Sequence, residues 1–215
     1  MRSYPGILSL VLLASCGSDP PPDRPVIGQQ RSAIQGGEAD SLDAYSYSVA
    51  ILSRYGAVCS GTLIAPNLVL TARHCVVPPG EGEDDETAVS CDDEFPAENA
   101  PPSAILVSPS PSLRRSPTLY GASEITTPTS RSFCGNDIAL VTLAESIPTS
   151  EARPAEPAFA MLDRARVGRT ITAIGHGITS PSAEDSGLRR VRQDIDILCV
   201  PGDASYDCAS QEWLG

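Results

Sequence analysis

A chain of 215 residues has room for one ordinary domain or two small ones. Its formal net charge of -12 argues against nucleic acid and anionic membrane surfaces as partners, because both repel an acidic surface. Hydrophobic residues make up 41% but aromatics only 5%, so a core must be built from Val, Ile, Leu and Ala, and 20 prolines with 17 glycines favour short strands and turns over long helices.

The N-terminus reads as an export signal. Arg2 precedes an apolar run from Ile7 to Ala14, the h-region of a signal peptide and too short to span a bilayer as a mature helix. It ends Leu13-Ala14-Ser15-Cys16, which resembles the lipobox of bacterial lipoproteins, where cleavage leaves Cys16 as the lipidated first residue. The alternative is an ordinary secretory signal with an incidental Cys16. Lipid chains would hold the protein on a membrane face without spanning it. Gly17 to Pro25 is rich in Pro and Asp and reads as a tether. The chain has seven cysteines. An odd count in an exported protein leaves one for another purpose, and the other six can pair in an oxidising compartment.

After the tether comes Arg31-Ser32-Ala33-Ile34-Gln35-Gly36-Gly37. Ser48 to Leu52 is a short apolar run followed by a turn at Arg54-Tyr55-Gly56, and Ala57 to Ile64 and Leu68 to Thr71 continue as strands around Pro66-Asn67. Strands this short and this closely spaced suggest an antiparallel barrel. The stretch from Cys59-Ser60-Gly61-Thr62 to Thr71-Ala72-Arg73-His74-Cys75 resembles the segment of trypsin-like serine proteases that carries the catalytic histidine. By that resemblance His74 is the general base, and a disulfide joins Cys59 to Cys75 across the hairpin. Arg73 departs from the family, which has a small residue there. Ile34-Gln35-Gly36-Gly37 resembles the start of the mature enzymes, with Ile34 as the new terminus after cleavage, although the basic residue Arg31 does not immediately precede it.

Pro78 to Asn99 is an acidic insertion crowded with Glu81, Glu83, Asp84, Asp85, Glu86, Asp92, Asp93 and Glu94. A solvated loop is the plain reading, and calcium at the acidic loop is the functional one, although EF-hand spacing is absent. Pro101 to Pro117, rich in Ser and Pro, is expected to be an exposed loop. Asn136-Asp137-Ile138-Ala139-Leu140 resembles the family's Asp-Ile-Ala-Leu, which makes Asp137 the residue that orients the base, ahead of a buried strand.

Ser146 to Pro157 reads as a connector. The run from Gly168 to Gly175-His176-Gly177 resembles the family's strand ending Gly-Trp-Gly, with His176 at a packing position rather than in a catalytic or zinc role. Leu188 to Leu198 alternates as a half-exposed strand should. Beyond Cys59 and Cys75, the pairing of Cys91, Cys134, Cys199 and Cys208 is open, with Cys91–Cys134 and Cys199–Cys208 the favoured pairs.

The family's nucleophile lies in Gly-Asp-Ser-Gly-Gly-Pro, and this sequence contains no such motif. Gly202-Asp203-Ala204-Ser205 has alanine at the critical place, and Asp185-Ser186-Gly187 sits in a polar turn.

The expectation is therefore an all-β protein of two antiparallel six-stranded Greek-key barrels, the second incomplete. Residues 1–15 are the signal peptide and 16–33 the tether. The first barrel covers 34–145 with the insertion at 78–99, and connector and second barrel cover 146–215. The implied activity is serine endopeptidase, from a fragment without its nucleophile, acting on protein or peptide substrates and needing no cofactor or metal. The implied location is the bacterial envelope, or outside the cell after processing. The alternative is a non-catalytic, surface-anchored binding module.

Overall fold

The computed structural model describes residues 37–78, 93–114, 116–159, 165, 168–177 and 186–197. The expected signal peptide, Cys16 with its expected lipidation, Ile34, most of the acidic insertion, and Cys91, Cys199 and Cys208 lie outside the described residues.

Among the described residues the chain is all-β. Six strands close a barrel: β2 (Ser48–Ser53), β3 (Val58–Ala65), β4 (Leu68–Thr71), β5 (Ile105–Ser108), β6 (Tyr120–Thr126) and β7 (Ala139–Leu143). Their spatial order is β2-β3-β4-β7-β6-β5, each pair antiparallel. Period-two burial is clearest in β7, where Ala139, Val141 and Leu143 point inward and the residues between are half-buried. Val49, Ile51, Leu63, Val69, Ile105 and Val107 complete the core, which has no aromatic ring at its centre. The closing geometry demands Gly61 in β3: a Cβ there would lie 2.7 Å from Val69 Cγ1. Register shifts at Leu63/Ala65 and Ala122/Glu124 mark the bulges that help the sheet to coil shut.

Two expectations need correction. The Ser/Pro-rich stretch 101–117 is not simply an exposed loop, because Ile105 to Ser108 forms β5 and Ile105, Val107 and Ser108 are fully buried. Four residues suffice for a barrel strand, and flanking prolines only punctuate it. The end of the acidic insertion is also not merely solvated: Phe95 is completely buried.

A second, three-stranded sheet has the order β1-β9-β8, formed by β1 (Glu38–Ala39), β8 (Thr170–Gly175) and β9 (Arg190–Asp196). The first described strand thus pairs with the last described one, Glu38 opposite Val191. The joint between sheet and barrel is polar. Arg189, fully buried, donates from Nε to Asp40 Oδ2 (3.0 Å), from Nη1 to the carbonyls of Ser48 (3.0 Å) and Pro109 (3.2 Å), and from Nη2 to Asp43. Asp40 also accepts the backbone N–H groups of Ala44 and Tyr45. One side chain therefore ties the N-terminal segment, β2, the turn after β5 and the start of β9. A second link runs from the His176 backbone N–H to Ser60 Oγ at 2.8 Å.

Candidate active site

The barrel register creates the site. Thr71, the last residue of β4, pairs with Ala139, the first of β7. His74 lies three residues beyond the one and Asp137 two before the other, so a local ladder brings together residues that are remote in sequence. Thr71 is pinned by a hydrogen bond from Oγ1 to the Ser60 carbonyl at 2.9 Å. The chain then enters a 3-10 turn, Arg73–Val76, whose Cys75 and Val76 are buried in the core. The Cys59–Cys75 disulfide closes the hairpin with a sequence separation of 16. Such a loop closure adds on the order of 3 kcal/mol by restricting the unfolded chain.

His74 Nδ1 lies 2.7 Å from Asp137 Oδ2, and the His74 backbone N–H donates to Asp137 Oδ1 at 2.9 Å. Both carboxylate oxygens are engaged by the same residue. Asp137 is nearly enclosed and His74 about one-third exposed, with side-chain accessibilities of 7% and 30%. Burial alone would push the Asp137 carboxyl up. The hydrogen bond and charge of His74, with the backbone N–H groups of His74 and Arg73, outweigh it and hold the carboxyl below its usual range. An ionised carboxylate only accepts, so the Nδ1 facing it carries the proton and Nε2 is left as the basic nitrogen. The half-open pair is arranged to take a proton from a group arriving at Nε2.

Arg73 was not legible as part of this arrangement beyond its being an unusual neighbour of His74. Its residue is 3% exposed. Nη1 donates to the carbonyls of Ser130 (2.6 Å) and Pro128 (3.3 Å), and the guanidinium lies 4.7 Å over the Phe95 ring. Phe95 stacks on Phe133 with centroids 4.1 Å apart. Desolvation, aided by the nearby Arg131, lowers the Arg73 pKa, while Asp137 acts in the opposite direction. Glu94, from the acidic run, pairs with Arg131 at 3.3 Å.

The remaining candidates lie apart from this pair. Ser186 sits in the turn before Gly187, whose N–H binds the His176 carbonyl at 2.7 Å, and no hydrogen bond joins Ser186 to His74. Ser205 and the acidic residues 81–92 lie outside the described residues. Cys134 is disulfide-bonded. His176 is fully buried, and desolvation, opposed by the Ser110 backbone, lowers its pKa to about 4. Ligand atoms of Cys59, His74 and Cys75 come within 4.8 Å of one another. The two sulfurs are bonded to each other, which removes the thiolates a metal would need. A cleft of about 560 Å³ between the N-terminal segment and β9 is lined by Asp40, Leu42, Tyr45 and Arg192 among others, and includes neither His74 nor Asp137.

The sequence pattern of the trypsin family matches residues 34–197. Solved structures sharing the fold are numerous. One is the crystal structure of a scabies mite inactivated protease paralogue, S-D1, with 18% identity and a TM-score of 0.57. The match covers 77% of this chain and 64% of that one, and at this identity it speaks to the fold alone. No curated protein matches the chain.

Proposed function

Since the chain belongs to the trypsin family, we propose that it is the His- and Asp-bearing part of a serine endopeptidase. His74 is the general base and Asp137 its orienting partner. The observation that carries this reading is the double engagement of Asp137 by His74, through Nδ1 at 2.7 Å and the backbone N–H at 2.9 Å. It fixes the tautomer with the basic nitrogen outward and stabilises the imidazolium formed when a serine hydroxyl gives up its proton. The same imidazolium would then protonate the leaving amine. The substrates are proteins or peptides. The family's Gly-Asp-Ser-Gly-Gly motif, which carries the serine and its oxyanion donors, is not found in these 215 residues, and this reading requires that motif from elsewhere in the reading frame.

The reading extends to export. Residues 1–15 direct secretion, Cys16 carries lipid in the bacterial envelope, and cleavage before Ile34 releases the catalytic part from its anchor. Protein recovered from the producing cells should then show Cys16 or Ile34 as its first residue by terminal sequencing.

A second reading has no need of the Gly-Asp-Ser-Gly-Gly motif, although it gives no chemical reason to retain both His74 and Asp137. It is a surface-anchored binding module that keeps the fold without the chemistry. The deciding experiment expresses the full reading frame, including codons past 215, and treats it with a serine-directed phosphonate. The protease reading expects labelling of one serine, and a loss of peptidase activity of about 10⁴-fold or more in His74→Ala. A full frame that folds, takes no label and cleaves nothing supports the binding module instead.

A further inference from the structure

We propose that Arg73 is a positioning residue for the His74–Asp137 pair, holding the loop that carries Asp137 from the turn that carries His74. This rests on reading the pair as base and orienter. Asp137 does not stand on a strand. It hangs near the end of the connection between Thr126, where β6 stops, and Ala139, where β7 begins. A connection of this length needs anchors if one carboxylate is to be held within a few tenths of an ångström.

Two anchors come from the far side. Residues 93–95 pair with 131–133 through Phe95 N–H to the Arg131 carbonyl (2.8 Å) and Phe133 N–H to the Asp93 carbonyl (3.1 Å), reinforced by Arg131 Nε to the Phe95 carbonyl (2.8 Å). Arg73 supplies the anchor from the histidine side. It precedes His74 by one residue, and its Nη1 reaches the Pro128 and Ser130 carbonyls at 3.3 and 2.6 Å. Phe95, itself locked against Phe133, forms a floor 4.7 Å below the guanidinium and fixes its plane.

The location of the charge supports a dedicated role. Among the described residues no carboxylate forms an ion pair with Arg73, and its Nε is buried without a partner. A buried guanidinium held by two carbonyls and a ring, with its Nε unmet, is a poor choice for stability alone. Its gain lies in geometry. His74 and Asp137 come from segments tied at one end by the Thr71–Ala139 pair, and Arg73 ties them at the other.

The test reads the hydrogen bond rather than hydrolysis, so it stands or falls separately from the protease reading. In the folded chain, the His74 Nδ1–H proton should appear as a downfield NMR resonance slowed in exchange by its bond to Asp137, and His74→Gln assigns it. Arg73→Met keeps most of the volume and removes the donors. It should broaden or abolish the resonance, with exchange at least about tenfold faster. Arg73→Lys, whose ammonium can still reach a carbonyl, should restore much of it. Removing the nearby positive charge would by itself tighten the hold of the imidazole on Asp137, so a weakened bond in the Met variant reports position. An unchanged resonance in folded Arg73→Met overturns the proposal. If that variant does not fold, Phe95→Leu decides: unseating the guanidinium should speed exchange in the same direction, and an unaltered signal in the folded Leu variant rejects the assignment.

Discussion

His74 binds Asp137 twice, once through its ring and once through its own backbone N–H, at 2.7 and 2.9 Å. The backbone contact matters because no rotamer change of His74 can remove its donor. It leaves the carboxylate able to serve the ring in one orientation only, and the Thr71–Ala139 pairing a few residues away keeps both backbones in place.

The Asp137 carboxyl is held below the ordinary carboxylate range in the folded chain by its hydrogen bonds and charge pairing with His74. A depressed folded value contributes stability that is complete above the unfolded value and is lost as pH falls through the folded one. The stability difference between wild type and Asp137→Asn should therefore be largest near pH 6 and shrink as the pH is taken below about 4. Urea denaturation at a series of pH values measures it. A difference that grows on acidification would contradict the assigned ionisation.

Arg189 and Asp40 offer a test of the joint. Their side chains are 0% and 3% exposed, with Nε 3.0 Å from Oδ2. Removing one member of a buried pair leaves the other charge uncompensated, which costs about 3–5 kcal/mol. Arg189→Met should lose stability in that range by chemical denaturation. It should also loosen the β1–β9 pairing, seen as faster amide exchange at Ala39 and Val191. Loss at these amides with β3, β4 and β7 still protected would show that the second sheet opens before the barrel.

His176 gives the opposite acid response from a histidine with an anionic partner. Burial lowers its pKa to about 4 from 6.5, so the unfolded chain binds a proton that the folded chain refuses. The sign follows: folding loses stability as pH falls from about 6.5 towards 4, by up to roughly 3 kcal/mol, and the loss levels off below that. His176→Phe should flatten this limb of the stability–pH curve. If the acid limb of the Phe variant superimposes on that of the wild type, the buried imidazole is not its cause.

Sequence alone made several features legible, and they share a property. The His74 hairpin, the strand after Asp137 and the strand before His176 each express themselves within a few neighbouring residues, as an apolar run, a turn pair and a polar residue at a fixed offset. β5 was hidden because composition averages over a window, and prolines outweighed a four-residue strand whose burial comes from β2 beside it. β6 was hidden as well: half-buried at its apolar positions and open elsewhere, it holds its place by pairing with β7.

The amino-acid sequence by itself determined the family, the pair of residues to which we assign proton-transfer chemistry and the strands around them, because local pattern is enough to specify a strand and a turn. Only the tertiary structure decided what Arg73, Phe95 and Arg189 do. A charged or aromatic residue acquires its role from the carbonyls, rings and carboxylates that the fold brings to it from distant segments. Nothing in the immediate neighbourhood of Arg73 announces the Pro128 and Ser130 carbonyls, and nothing beside Arg189 announces Asp40. Those partners exist for these residues only once the barrel has closed and the second sheet has docked against it.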